Sequence, residues 1–141
     1  MLVDDEVVLD GASLSAAALA RIAEGEPPRI AEDVASRMDT SARWFHMQRG
    51  PGTLRAKWVE LTGTEPPEDE DELLRRFVVG HCAGVGEPMP LEWVRAAIAA
   101  RVNVLCTANT GCRATVAETL VEMLREDVVP VVPIQGSFGA A

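Results

Sequence analysis

The sequence predicts a mainly α protein. Apolar residues recur with helical spacing in five segments, whereas extended patterns are confined to residues 7–9 and to the proline-containing run VVPVVPIQ at 128–135. With 141 residues, 48% of them apolar and 25% charged, the chain has the size and composition of one soluble globular domain. Residues 1–141 are therefore expected to form a single helical domain.

The first two predicted helices precede residue 47. Ser13 is placed to cap a helix that stops at Gly25. The apolar stripe of this helix consists of Leu14, Ala18, Leu19 and Ile22. A second helical pattern starts at about Ile30, places polar residues opposite an apolar face, and ends near His46.

Residues 47–69 are predicted to form a long loop, because helical periodicity fails there. The sequences GPG at 50–52 and GTEPP at 63–67 are typical of turns. The run PPEDEDE at 66–72 supplies five acidic residues. A solvated loop that leads into a helix is the simplest interpretation of that run.

Three further helices are predicted after the loop. Helical spacing returns at 70–79 and is broken by GHCAGVGEPMP at 80–90. The next two helices, at 91–106 and at 112–126 with Thr110 as a candidate cap, are apolar over much of their surface. Because helices of this kind lie inside larger assemblies, we expect another polypeptide to cover them.

Charge and cysteine content argue against several classes of protein. A formal net charge of −9 disfavours nucleic acid binding, which needs a cationic face. No apolar run is long enough to cross a bilayer, and the acidic start lacks the features of an export signal, so a cytoplasmic protein with no membrane role is expected. The odd set Cys82, Cys106 and Cys112 favours reduced thiols over a disulfide, and no ligand spacing indicates a metal.

Three segments carry a resemblance to a known family. They are FVVGHCAGVGEP at 77–88, RVNVLCTANTGCR at 101–113 and VVPVVPIQGSFGA at 128–140. In this order they resemble the aromatic amino acid lyases, which include histidine and phenylalanine ammonia-lyases. The more loosely similar LDGASLSAAALARIAEG extends the resemblance upstream. It implies the N-terminal part of the helical lyase fold, completed by a partner chain.

The resemblance also implies which chemistry is missing. The family's methylidene-imidazolone forms from an Ala-Ser-Gly tripeptide, whereas here Ala140 fits the alanine, Ala141 falls on the serine, and no glycine follows. The family's catalytic tyrosine falls on Phe45 in the register of FHMQRGPG at 45–52, and the chain contains no tyrosine at all. We therefore expect no prosthetic group and no other cofactor.

The resemblance points to candidate site residues. His81 matches the family's active-site histidine and is the first catalytic candidate, a structural helix-terminal histidine being the alternative. His46, next to Phe45, is the second, with an exposed loop histidine as its alternative. The candidates for substrate binding are Asn103, Arg113 and Phe45. Arg113 is as readily explained by pairing with acids such as Glu118, and Asn103 by hydrogen bonds between helices.

These expectations lead to two functional hypotheses. The first is the small subunit of a split, methylidene-imidazolone-free lyase-like enzyme, which acts on a small-molecule substrate by acid–base elimination, dehydration or addition. Its partner in a hetero-oligomer would be a large subunit that resembles the remaining C-terminal part of an ammonia-lyase. The alternative is a non-catalytic subunit that stabilises or regulates such a large chain. A fragment of a longer gene product is a third possibility.

Overall fold

The computed structural model describes residues 6–49 and 53–136, and this part of the chain contains six helices and four short strands. The helices are α1 (Ala16–Ala23), α2 (Val34–Arg49), α3 (Thr53–Thr62), α4 (Glu70–Gly80), α5 (Leu91–Cys106) and α6 (Ala114–Arg125). The strands are β1 (Val8–Leu9), β2 (Arg29–Ile30), β3 (Val85–Pro88) and β4 (Pro133–Gln135). The prediction of a mainly α fold is confirmed.

Helix α5 lies at the centre of the core, where it packs against α1, α2, α6 and β1. Its buried side chains are Val94, Ala99, Val102, Leu105 and Cys106. Helix α6 adds buried residues spaced by three or four positions, as expected of one helix face: Ala114, Ala117, Val121 and Leu124. Among the described residues, the main core cluster takes no buried member from α3 or α4.

Strands β1 and β2 pair in parallel, with α1 as the crossover between them. The register joins Val8 to Arg29 and Leu9 to Ile30. Arg125, the last residue of α6, forms two hydrogen bonds to residues next to this strand pair. Its Nε donates a hydrogen bond to the Pro28 carbonyl oxygen at 3.1 Å, and its Nη2 donates to Oε1 of Glu6 at 3.0 Å.

Helix α1 is capped by Ser15 and not by Ser13 as predicted. Oδ1 of Asp10 accepts hydrogen bonds from the amides of Ala12 and Ser13, each at 2.8 Å, so a turn occupies these residues. Oγ of Ser15 then accepts from the Ala18 amide at 3.1 Å. The helix consequently starts two residues later.

The loop predicted at 47–69 is wrong over most of its length. Helix α2 continues past His46 to Arg49, and α3 follows from Thr53 to Thr62. The apolar side chains Leu54, Val59 and Leu61 of α3 are all exposed, so the helix lacks the buried stripe that an amphipathic pattern reports. It consists largely of residues with high intrinsic helix propensity.

Helices α4 and α6 differ in how they start. Helix α4 begins after Asp69, whose Oδ1 accepts from the Asp71 amide at 3.1 Å. Thr110 does not cap α6, because the preceding turn ends only at Arg113. The first amide of α6, that of Ala114, instead donates to Oδ1 of Asp39 in α2 at 3.0 Å. A neighbouring helix therefore supplies the cap.

Strands β3 and β4 form an antiparallel two-stranded ribbon. Val85 is opposite Gln135, Pro88 is opposite Pro133, and the Met89 amide donates to the Val132 carbonyl oxygen at 2.7 Å. Strand β4 lies in the predicted extended run. Strand β3 lies in the glycine-rich segment, for which the sequence predicts only a loop, since all four of its residues are exposed and show no alternation of buried and exposed positions.

No helix in the described ranges is long and apolar enough to cross a membrane.

Candidate functional site

His81 lies at the C-terminal end of α4, where it is the capping residue. Its Nδ1 is 2.6 Å from the carbonyl oxygen of Phe77, one helical turn earlier, and its ring stacks on the Phe77 ring at 6.1 Å between centroids. Because a carbonyl oxygen only accepts hydrogen bonds, Nδ1 carries the proton of the neutral ring. Nε2 then carries the lone pair, and it is the basic nitrogen.

His81 lines a small pocket between α3 and α4. The pocket has a volume of about 150 Å³. Its walls are Trp58, Leu61, Thr62, Arg76, Phe77, Gly80 and His81. The Trp58 and Phe77 rings meet edge to face at 5.8 Å. The pocket can therefore accept an apolar group of a ligand next to the His81 imidazole.

Both aromatic rings of this pocket, Phe77 and Trp58, are absent from the candidate site residues that the sequence predicts. Phe77 could have been found, because it precedes His81 by four residues at the end of a predicted helix, the spacing of residues on one helix face. Trp58 could not, because it lies in the segment taken for a loop. The guanidinium of Arg76 also lines the pocket and pairs with Glu72, with Nε to Oε1 at 2.6 Å. Hydrogen bonds from Arg75 and then Arg76 lower the pKa of Glu72 to about 2.

Strand β3 lies in the segment 77–88 and strand β4 in the segment 128–140. The ribbon thus brings together two of the three segments that resemble the family. At Gly136, with φ +130°, a Cβ atom would lie 2.6 Å from the Ala83 carbonyl oxygen, so only glycine fits this close approach. The end of β4 is thereby held against the turn that follows His81. Ala140 and Ala141 follow Gly136 by four and five residues and lie outside the described residues.

Asn103 and Arg113 lie apart from the His81 pocket. The side-chain oxygen of Asn103 accepts a hydrogen bond from the Gly11 amide at 3.0 Å, which ties α5 to the turn after β1. Arg113 is exposed at the start of α6. The expected ion pair between Arg113 and Glu118 is not formed, and within residues 6–49 and 53–136 the Arg113 side chain has no other acidic partner.

Phe45 and His46 lie on α2. The Phe45 ring packs against Gly111, where a Cβ atom would come within 2.6 Å of its Cγ, and it meets Trp44 edge to face at 5.1 Å. It also lines an open groove with Arg37 and Asn109. His46 is exposed, and it is a helical residue rather than a loop residue. Neither residue lines the pocket of His81.

The three cysteines are free thiols. Cys106 is buried in the core, and this burial raises the pKa of its thiol to about 11. Cys82 is exposed next to His81, and its Sγ lies 3.2 Å from the Val78 carbonyl oxygen. In the described part of the chain, no group of three or more histidine, cysteine or acidic side chains is arranged to hold a metal ion.

Known proteins resemble this chain along nearly its whole length. It is 38% identical over 125 residues to a histidine ammonia-lyase from Anaeromyxobacter dehalogenans, an alignment that covers 89% of this chain and 23% of that relative. Its structure matches tyrosine aminomutase from Streptomyces globisporus with a TM-score of 0.78 and 28% identity, covering 94% of this chain and 26% of the other. Histidine ammonia-lyase from Trypanosoma cruzi gives a TM-score of 0.74 and 29% identity, over 95% and 27% of the two chains.

The chain thus spans about a quarter of the length of these relatives. The family model described as aromatic amino acid lyase matches residues 12–141. This match includes the helix that ends at His81 and the ribbon that follows it. Together with the shared fold, it shows that the chain belongs to the aromatic amino acid lyase family.

Proposed function

We propose that this chain is the small subunit of a split lyase-like enzyme that works without methylidene-imidazolone. Its large subunit would resemble the remaining C-terminal part of an aromatic amino acid lyase. The observation that carries the proposal is the uninterrupted exposure of residues 78–88, which comprise the end of α4, the turn after it and β3, in a chain about a quarter as long as its relatives. A surface of this kind fits a protein that is completed by another chain.

The residues of this chain do not fit the family's prosthetic group. Cyclisation of the tripeptide ends with loss of a serine hydroxyl, and Ala141, on the serine position, has none. The chain also has no tyrosine that could act as the catalytic base. The proposed reaction therefore uses no electrophilic prosthetic group formed from this chain and proceeds by acid–base chemistry.

His81 is the residue proposed to perform that chemistry. Its Nε2 would take a proton from a substrate carbon that is acidified by an adjacent electron-withdrawing group. The electrons of the C–H bond form a carbon–carbon double bond while the bond to the leaving group on the next carbon breaks. The leaving group departs with the electron pair of that bond, and the imidazolium can return its proton to it. The reverse sequence is an addition.

A non-catalytic role is the second candidate, and one observation favours it. The hydrogen bond from His81 Nδ1 to the Phe77 carbonyl oxygen is also what a purely structural histidine at a helix C-terminus makes. In that case the chain would stabilise or regulate the large subunit. The two roles are separated by the effect of His81→Ala on turnover of the complex.

The experiment that tests the proposal is purification of the native complex. The gene receives a sequence for an affinity tag at its chromosomal position, and intact mass spectrometry is applied to every chain that copurifies. We expect two polypeptides, this chain with an unmodified mass and a larger chain whose sequence resembles the rest of a lyase. A single long polypeptide that contains residues 1–141 would overturn the split arrangement. Loss of two waters near residues 139–141 would overturn the absence of the prosthetic group.

A further inference from the structure

The β3–β4 ribbon is paired but uncovered. All four residues of β3 are exposed, as are Ile134 and Gln135 of β4. Within the described residues, the one element with which β3 or β4 makes an extensive contact is the other strand. Because an isolated two-stranded ribbon is marginally stable in water, a ribbon of this kind needs a further strand or helix that packs on it.

The surface around the ribbon is nearly free of charge. Glu87 is the one charged residue in 77–91, and residues 128–136 contain none, whereas 25% of the whole chain is charged. Large apolar side chains in these two segments are 45–77% exposed: Val78, Val79, Val85, Leu91, Val128, Val131 and Ile134. Depletion of charge together with exposed apolar side chains is typical of the centre of a protein–protein interface. We call residues 78–91 and 133–136 the ribbon face.

The relatives indicate what covers this face. This chain corresponds to about a quarter of each relative, in the N-terminal part of the fold. The family match extends to residue 141, so the rest of a relative follows a few residues after those that match the end of β4. Since β4 is itself half of the ribbon, the continuing polypeptide starts close in sequence to the ribbon face. A segment that starts there is in the best position to pack on it.

We infer that the ribbon face is the surface by which this chain docks on the large subunit of the proposed enzyme. This inference rests on the proposed function and adds the location of the interface. The contact buries the exposed valines of α4 and β3 and turns the ribbon into one layer of a larger core. It also encloses the turn that contains His81, because this turn joins α4 to the ribbon.

Two valines provide a matched test. Val85, in the middle of the ribbon face, is 61% exposed, and Val116, on α6, is 41% exposed. The Val85→Asp and Val116→Asp variants each place one carboxylate on the surface without removing a buried side chain. Each variant is tagged, expressed in the native cells, and compared with the wild type by the amount of large chain retained. Circular dichroism of the purified samples checks that both variants keep their helical content.

The inference predicts that Val85→Asp retains at least about tenfold less large chain, while Val116→Asp retains the wild-type amount. A photo-crosslinking amino acid at position 85 should link to the chain that resembles the rest of a lyase. If Val85→Asp retains the wild-type amount, the interface lies elsewhere and the proposed function still stands. If the crosslink joins two copies of this chain, self-association covers the face and the inference is wrong. If the wild type retains no lyase-like chain, the proposed function itself fails.

Discussion

At the scale of single residues, His81 is the exposed side chain that we propose to act as the acid or base. The imidazole has one nitrogen held by the Phe77 carbonyl oxygen, and the Phe77 ring stacks on it. This arrangement fixes the tautomer without burying the ring.

Replacing His81 with alanine should lower turnover of the assembled complex by about 10²-fold or more, the usual scale for loss of a general acid or base. Assembly should persist, because the change to alanine adds no charge to the ribbon face, and the amount of large chain retained is measured alongside turnover. His46→Ala is the matched control, since this residue is also exposed and lies outside the pocket. It should cost less activity than His81→Ala. Full activity of an assembled His81→Ala complex would favour the non-catalytic alternative.

A second residue-scale prediction concerns Gly111 and the Phe45 ring. Gly111 and Gly63 have nearly the same positive φ, +66° and +67°, but only the Cβ of an alanine at 111 would meet another residue, at 2.6 Å from Phe45 Cγ. Gly63→Ala should cost about 1–2 kcal/mol from backbone strain alone. Gly111→Ala should cost about 1–3 kcal/mol more, from overpacking. The unfolding temperatures of the purified complexes measure both effects, and equal losses would show that Phe45 moves aside freely.

The sequence could predict some of the site and not the rest. His81 is identified by its family motif, and its position at the end of a helix follows from the spacing of Leu73, Leu74 and Phe77. Asn103 shows the limit of this approach, since its hydrogen bond to Gly11 spans 92 residues. A contact of that separation leaves no local pattern. The resemblance alone therefore cannot separate a substrate-binding amide from one that joins α5 to a turn.

At the scale of elements, helices with a buried apolar face could be predicted from the sequence, whereas the residues that cap the helices could not. Helix α5 has the bounds predicted at 91–106, because its apolar residues face a core on several sides. Helix α3 was missed because none of its large apolar side chains is buried deeply enough to set a periodicity. The start of α6 was misplaced because its cap, Asp39, belongs to α2, 75 residues earlier. A cap supplied from another helix has no signature near the helix that it serves.

The hydrogen bond by which Asp39 of α2 caps α6 gives a prediction at the scale of elements. Asp39→Ala should destabilise the first turn of α6 by about 0.5–2 kcal/mol, the usual cost of losing an N-cap. Amide hydrogen exchange at Ala114 should accelerate accordingly in the assembled complex. Asp33→Ala is the control, because Asp33 pairs with Arg37 on the exposed surface at 2.9 Å, and such pairs contribute at most about 1 kcal/mol. Unchanged exchange at Ala114 in Asp39→Ala would show that the hydrogen bond contributes nothing to the helix.

At the scale of the whole molecule, the chain has one core and a large uncovered apolar surface. The core joins β1, α1, α2, α5 and α6, whereas α3, α4 and the ribbon lie outside its buried cluster. The exposed apolar side chains lie mainly on those outer elements and on the first turn of α5, where Leu91 and Trp93 are 54% and 57% exposed. Apolar surface of this extent is typical of proteins that bind another chain.

The chain produced without its partner should therefore self-associate or be poorly soluble. Coexpression with the large subunit should give a soluble complex of defined mass, because the apolar surface is then removed from water. Size-exclusion chromatography with light scattering measures both cases. A monodisperse monomer of the lone chain that melts cooperatively would contradict the expectation.

The two hydrogen bonds of Arg125 have a consequence for the chain during its synthesis. Pro28 and Arg125 are 97 residues apart in sequence, and the contact joins the first strand pair to the last helix. At a synthesis rate of about 5–20 residues per second, the first strand pair waits roughly 5–20 s before its partner helix has been made. Until α5 and α6 have been made, the apolar side chains of α1 and α2 lack the helices that cover them in the folded chain, so we expect chaperones to bind the nascent chain during that interval.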